Sequence, residues 1–115
     1  MKLGLAILLL LLQQTAWAGN LTLAEFKQQT QLHYADLDMK QAALNSALDQ
    51  KQHPQILVEK ACAYSNGLKR LKAFAQQNSQ LPYAQEEFVF VSQLDKNFNQ
   101  SLQDLGTSYE KGCLK

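Results

Sequence analysis

Cysteine is the residue type in this sequence with the clearest chemistry, and the chain has two, Cys62 and Cys113. A thiolate held by a histidine would indicate a nucleophile, and a Cys-x-x-Cys pair would indicate redox exchange. Neither arrangement is present around these two positions. In a small exported domain an even number of cysteines is typical of a disulfide. We therefore expect a Cys62–Cys113 disulfide, formed either within one chain or between two chains.

Histidine is the next candidate for chemistry. His33 shares a helical face only with Asp36, three positions on, whereas a zinc site needs three or four ligands. His53 precedes Pro54, which favours a helix cap or an exposed loop. Haem attachment would need a second nearby cysteine followed by a histidine. The sequence therefore predicts no metal, no cofactor and no enzymatic activity, since no nucleophile–base or carboxylate pair has a usable spacing.

Two further groups of residues are candidates for binding. Lys69, Arg70 and Lys72 form a basic cluster, which predicts either an anion or lipid-headgroup contact or simply a solvated helix face. Phe88 and Phe90 point about 200° apart on a helix, so both cannot face one core. Phe90, together with Val89, is then either an exposed apolar patch for contact with a partner or a surface covered by the C-terminal tail.

These side chains are carried by helices whose boundaries have clear local signals. Thr22 and Glu25 form a capping box, and apolar residues at 3-4 spacing extend the first helix from Leu23 to about Gln50. A weaker capping box at Asp38 suggests a break between residues 34 and 38. The first segment is therefore either one bent helix or two helices.

Two prolines and a glycine mark the remaining helices. Pro54 and Pro82 are each predicted to open a helix, and Gly106 to end the last one. Gly67 is expected to let a neighbouring helix approach closely. The second apolar stripe comprises Leu57, Ala61, Tyr64, Leu68, Leu71 and Ala75, and the third comprises Ala84, Phe88, Val91, Leu94, Phe98, Leu102 and Leu105.

The predicted fold is all-α, a small up-down bundle of three long helices, or of four if the first one breaks. Residues 19–115 form its single domain. The run at residues 88–91 has strand character, but it lies inside a helical pattern without turn signals, so helix is the prediction. The disulfide would fasten the tail after Gly106 to the middle helix.

The N-terminus has the order of a secretory signal peptide. Lys2 is followed by an apolar run from Leu3 to Leu12 and by Ala16 and Ala18 at small-x-small spacing. The run is about half of the roughly 20 residues that span a bilayer. We expect residues 1–18 to be cleaved, no stable membrane anchor to remain, and the protein to be periplasmic or secreted.

Charge and composition limit the possible functions. The chain has 11 Lys and Arg against 10 Asp and Glu, and cleavage would remove Lys2, so the domain is formally neutral. Nucleic-acid binding needs a basic surplus and is not expected. The leading hypothesis is a non-enzymatic module that binds another envelope or exported protein, as an inhibitor, immunity protein or adaptor. The alternative is a carrier of a small apolar ligand between the helices.

Overall fold

A computed structural model describes residues 21–114, and the signal peptide predicted at residues 1–18 lies outside this range. Four helices account for most of the described chain: α1 (Leu23–Asp49), α2 (Pro54–Gln77), α3 (Ala84–Asp104) and the short α4 (Tyr109–Gly112). No strand occurs within residues 21–114, and residues 88–91 are helical. The predicted all-α bundle with three long helices is confirmed.

Helix α1 begins at the predicted capping box. The Glu25 amide donates to Thr22 Oγ1 at 3.1 Å, and the Thr22 amide donates back to Glu25 Oε1 at 2.9 Å. The hydrogen bond from the Thr22 amide lowers the pKa of the Glu25 carboxyl. The helix then continues without interruption past Asp38. Leu37 is buried against α2 and α3, so packing holds the segment where a break had been suggested, and α1 is one helix.

Helix α1 ends in a left-handed residue that is not glycine. Lys51 has a φ of 52°. Its amide donates to the Leu48 carbonyl, and the Gln52 amide donates to the Ala47 carbonyl. This pair of hydrogen bonds is the Schellman pattern, which usually places glycine at the left-handed position. Pro54 opens α2 as predicted, with His53 Nδ1 accepting from the Gln55 amide at 3.1 Å.

Replacing Lys51 with glycine should therefore stabilise the protein. The left-handed conformation disfavours a residue with a Cβ by about 1–2 kcal/mol, and the greater freedom of glycine in the unfolded chain offsets part of that gain. We expect Lys51→Gly to raise the free energy of unfolding by about 0.5–1 kcal/mol, measured by urea denaturation. Lys51→Ala is the matched control, because it removes the charge but keeps the Cβ. An equal gain in both variants would contradict this explanation.

Two boundaries of α3 differ from the prediction. Pro82 does not open the helix, which begins at Ala84 after a turn in which Tyr83 has a φ of 70°. Buried Asn78 shapes this turn by donating its side-chain amide to the Phe74 carbonyl at 2.9 Å. Leu105 was expected in the core stripe, but it is the residue after the helix and is 80% exposed, because no other element covers it.

Gly106 ends α3 as predicted. Its φ is 88°, its amide donates to the Gln103 carbonyl, and the Thr107 amide donates to the Leu102 carbonyl. These hydrogen bonds form a second Schellman motif, here with glycine at the left-handed position. The chain reverses at this point and leads into α4.

Helix α2 lies between α1 and α3 and packs against both. Phe26 stacks on Phe74 at the start of α1, whereas Leu37 lies beside Gly67, so the two helices are antiparallel. A Cβ on Gly67 would lie 2.8 Å from Leu37 Cδ2, which confirms the predicted close approach. The core joins all three long helices through Leu37, Leu68, Leu71 and Val91.

The C-terminal tail is fastened to α2 by the predicted disulfide, which forms within the chain between Cys62 and Cys113. The Tyr109 hydroxyl donates to Asn66 Oδ1 at 2.7 Å, and the Tyr109 amide donates to Asn99 Oδ1 at 3.2 Å. The tail is therefore tied to both α2 and α3. In the described part of the chain, no helix combines the length and the apolar character that crossing a membrane requires.

Candidate functional site

The most distinctive surface feature is a groove between α1 and α3. Both helices pack on α2, but they make little direct contact with each other. They run in the same direction, since Lys27 lies beside Tyr83 and Tyr34 beside Phe90. The space between them, which Tyr64 of α2 also lines at one end, is called the groove below. It contains two clefts that are open to solvent.

The first cleft lies at the N-terminal ends of α1 and α3 and has a volume of about 320 Å³. Its residues combine aromatic rings with charged groups: Phe26, Lys27, Thr30, Gln31, Tyr34, Tyr83, Glu86 and Glu87. Phe26 is fully buried beneath it and stacks on Phe74, with the ring centroids 5.3 Å apart. The cleft therefore has a rigid apolar floor and polar walls, as small-molecule and side-chain sites commonly do.

A hydrogen bond crosses the groove between the two clefts. The Tyr34 hydroxyl donates to Glu87 Oε2 at 2.7 Å, and the rings of Tyr34 and Phe90 lie 6.3 Å apart. Burial, together with the adjacent Glu87 carboxylate, raises the pKa of the Tyr34 hydroxyl far above its usual range. Tyr34 therefore keeps its proton and remains a donor at all physiological pH values. This bridge separates the first cleft from the second.

The second cleft lies further along α1 and α3 and has a volume of about 250 Å³. None of its lining residues carries a formal charge at neutral pH; they are Gln41, Leu44, Asn45, Tyr64, Leu94, Asn97, Phe98 and Ser101. The Tyr64 and Phe98 rings meet edge to face at 4.8 Å. Burial, with a contribution from the charge of Asp38, raises the pKa of the Tyr64 hydroxyl. Side-chain amides in this cleft can donate and accept hydrogen bonds.

The predicted partner-contact residues Val89 and Phe90 are 58% and 54% exposed. The tail packs against α2 and meets α3 at Asn99, so it does not cover them. The two side chains nevertheless point about 100° apart around the helix. Phe90 lies on the rim of the groove beside Tyr34, whereas Val89 projects from the outer face of α3. They therefore belong to different surfaces, and their role in partner contact stays a prediction.

The predicted anion-contact residues do not converge on one point. Lys69 Nζ lies 3.1 and 3.2 Å from the carboxylate oxygens of Asp95 and 4.3 Å from the Tyr109 ring centroid. Lys72 Nζ lies 5.9 Å from the Phe88 ring. Arg70 is exposed on α2, and its charge contributes to lowering the pKa of the His33 imidazole. An anion contact by Lys69, Arg70 and Lys72 stays a prediction, and Lys69 already has a carboxylate partner.

His33 and Asp36 are each engaged with other groups. His33 packs on the Phe74 ring at 5.0 Å, and burial, aided by the charge of Arg70, lowers the pKa of its imidazole. Lys40 Nζ lies 2.6 Å from Asp36 Oδ2, and this hydrogen bond lowers the pKa of the Asp36 carboxyl. Within residues 21–114, no three His, Cys, Asp or Glu residues are grouped so that they could hold a metal ion.

Sequence reasoning missed the groove and its main residues, Tyr34, Tyr83, Glu86 and Glu87. Apolar residues also lie on the outer face of α1, where Leu32 and Met39 are exposed opposite buried Leu37. They line neither cleft, so they gave no signal for the groove. Comparison with protein families, with characterised proteins and with solved structures finds no match to this chain.

Proposed function

We propose that this protein is a non-enzymatic binding module that holds a segment of another exported protein in the groove between α1 and α3. The observation that carries the proposal is the groove itself, with two open clefts separated by the Tyr34–Glu87 bridge, beside which half-exposed Phe90 stands. Aromatic side chains on the rim of a concave surface are typical anchors of protein contacts. Inhibitors, immunity proteins and adaptors all act by binding another protein.

Export is part of the proposal and rests on two features. Residues 1–18 have the charge, apolar run and small residues of a signal peptide. The Cys62–Cys113 disulfide is typical of an oxidising compartment. The partner is then expected in the periplasm or outside the cell. Formal neutrality of the domain supports a protein partner over a nucleic acid.

Phe90→Asp is expected to reduce capture of the partner at least about tenfold, as expected for an aromatic anchor of a contact surface. Val89→Asp is the matched control, because the two neighbouring residues are similarly exposed and receive the same charge. The tagged chain, expressed from Met1 and purified as the cell processes it, would be used to capture partners from its own cell envelope. Circular dichroism would verify that both variants keep their helices.

The two variants separate three results. Loss of capture with Phe90→Asp alone supports contact through the groove. Equal loss of capture with both variants would indicate that the partner binds an exposed patch on the outer face of α3 rather than the groove. Unchanged capture with folded Phe90→Asp protein would rule out Phe90 as an anchor and overturn the proposed function.

A carrier of a small apolar ligand is the second candidate. The volume of the first cleft, about 320 Å³, lies at the lower end of the range for ligand pockets. Native mass spectrometry of gently purified protein separates the two candidates, because a carrier would retain a small excess mass. The open form of the clefts and the charged walls of the first one favour a peptide segment over an apolar molecule.

A further inference from the structure

The first cleft has an unbalanced charge. Glu86 and Glu87 line its α3 side, and Lys27 is the single cation among its lining residues. The groove therefore carries net negative charge at this end, although the protein as a whole is close to neutral. Acidic residues are common in the first turn of a helix, so these carboxylates alone do not define a site.

The aromatic wall of the cleft already has a cation on it. Lys27 Nζ lies 5.0 Å from the centroid of the Tyr83 ring. An ammonium or guanidinium over an aromatic face within about 6 Å is an attractive contact. The position of Lys27 thus indicates that the face of the Tyr83 ring can hold a positively charged group. Tyr83 is held in position by its left-handed backbone, with a φ of 70°, a conformation that persists only where the surroundings enforce it.

The floor of the cleft contains a polar group without a partner. Thr30 is 6% exposed, and its Oγ1 has no hydrogen-bond partner. Buried polar side-chain atoms usually have one. Thr30 lines the cleft, but its Oγ1 has almost no accessible surface, so a cation in the cleft would be held by the groups at the surface. Two carboxylates and an aromatic face together form an environment for a cation there.

We propose that the first cleft binds a lysine or arginine side chain of a basic peptide segment, whose uncharged continuation passes over the Tyr34–Glu87 bridge and lies along the second cleft. This inference rests on the proposed function and specifies its ligand. Thr30 and Gln41 are eleven positions apart on α1, which corresponds to roughly 16 Å. An extended peptide covers that distance with about five residues. The recognised segment is therefore short, with its basic residue near one end.

The probes are capped heptapeptides of glycine, serine and leucine that carry one arginine near either end. Otherwise identical peptides with citrulline, a neutral isostere of arginine, are the controls. Binding to the processed chain would be followed by calorimetry and by amide chemical shifts. We expect an arginine peptide to bind at least about tenfold more tightly than its citrulline version, because the guanidinium contacts both carboxylate and ring. The shifts should include Tyr83, Glu86 and Glu87.

Three variants assign that preference to the cleft. Glu86→Gln should weaken binding of the arginine peptide about threefold to tenfold and leave the citrulline peptide unaffected. Glu110→Gln is the matched control, since Glu110 is exposed on α4 and lines neither cleft. Lys27→Met should tighten binding by a similar factor, because it removes the competing cation from the Tyr83 ring.

Each outcome bears on the inference. An arginine preference that Glu86→Gln lowers and Lys27→Met raises supports it. Equal binding of arginine and citrulline peptides with shifts at Phe90 overturns the cationic site but leaves the proposed function standing. If spermidine binds as tightly as the arginine peptide, the ligand is a free polyamine and the assignment of a peptide ligand is overturned. No binding of either arginine peptide at millimolar concentration overturns the inference, whereas the proposed function still depends on the Phe90→Asp capture.

Discussion

Removing the disulfide, by Cys62→Ser together with Cys113→Ser, is expected to lower the free energy of unfolding by about 4 kcal/mol. The cysteines are 51 positions apart, and closing a loop of that length restricts the unfolded chain substantially. A domain of this size has a total stability of about 5–15 kcal/mol. The loss is thus a large fraction of the total, and urea denaturation followed by circular dichroism would measure it.

The tail should detach before the bundle unfolds. Helix α4 has four residues, too few to persist alone in water. Without the disulfide, only contacts such as the Tyr109–Asn66 hydrogen bond hold it in place. We expect the variant to keep its three long helices while the amides of residues 109–113 lose protection from hydrogen exchange. Lys69 and Asn99, which contact the tail, line neither cleft, so the groove should remain intact.

Tyr109→Phe is the control for this prediction. It keeps the disulfide but removes the hydroxyl that donates to Asn66, and a hydrogen bond of this kind contributes about 1 kcal/mol. The difference between the two variants then measures the effect of closing the loop. If the double cysteine variant loses no more stability than Tyr109→Phe, the disulfide does not stabilise the fold by restricting the unfolded chain.

The helices could be predicted because their signals are local. The capping box at Thr22, the proline at position 54 and the glycine at position 106 act within one turn of the chain. The disulfide followed from the cysteine count. Pro82 and Leu105 were misjudged for a related reason: periodicity alone does not show where a helix must stop. The turn at Tyr83 and the absence of any cover over Leu105 are set by tertiary structure.

The groove could not be predicted in the same way. It depends on the angle at which α1 and α3 sit on α2, and its central bridge joins Tyr34 to Glu87 across 53 positions of sequence. The pattern indicated that Phe88 and Phe90 could not share one core, since they lie about 200° apart on the helix, but it left open whether the C-terminal tail covers Phe90. The pattern also did not show that Phe90 and Val89 belong to different surfaces of α3. That distinction came from the position of Tyr34 on the neighbouring helix.

Leu71→Ala is expected to have the other large effect on stability, a loss of about 3 kcal/mol within the range of 2–5 kcal/mol typical of buried leucines. Leu71 is fully buried in the cluster that joins α1, α2 and α3. The remaining core offers little to fill the cavity, because four of its ten buried apolar residues are alanines: Ala47, Ala61, Ala75 and Ala84. Urea denaturation would measure the loss, and Leu105→Ala, at an 80% exposed position, should change stability by less than about 0.5 kcal/mol.

Combining Leu71→Ala with the loss of the disulfide tests whether the tail and the core stabilise the fold independently. Cys62 and Leu71 are nine positions apart on α2, which corresponds to roughly 13 Å, and effects of sites this far apart usually add. We therefore expect the triple variant to lose about 7 kcal/mol, which exceeds the total stability of the least stable domains of this size, about 5 kcal/mol. A loss well below the sum would mean that the disulfide stabilises the protein partly by tightening the packing around Leu71. In that case detaching the tail would also loosen the packing of α1 and α3 on α2.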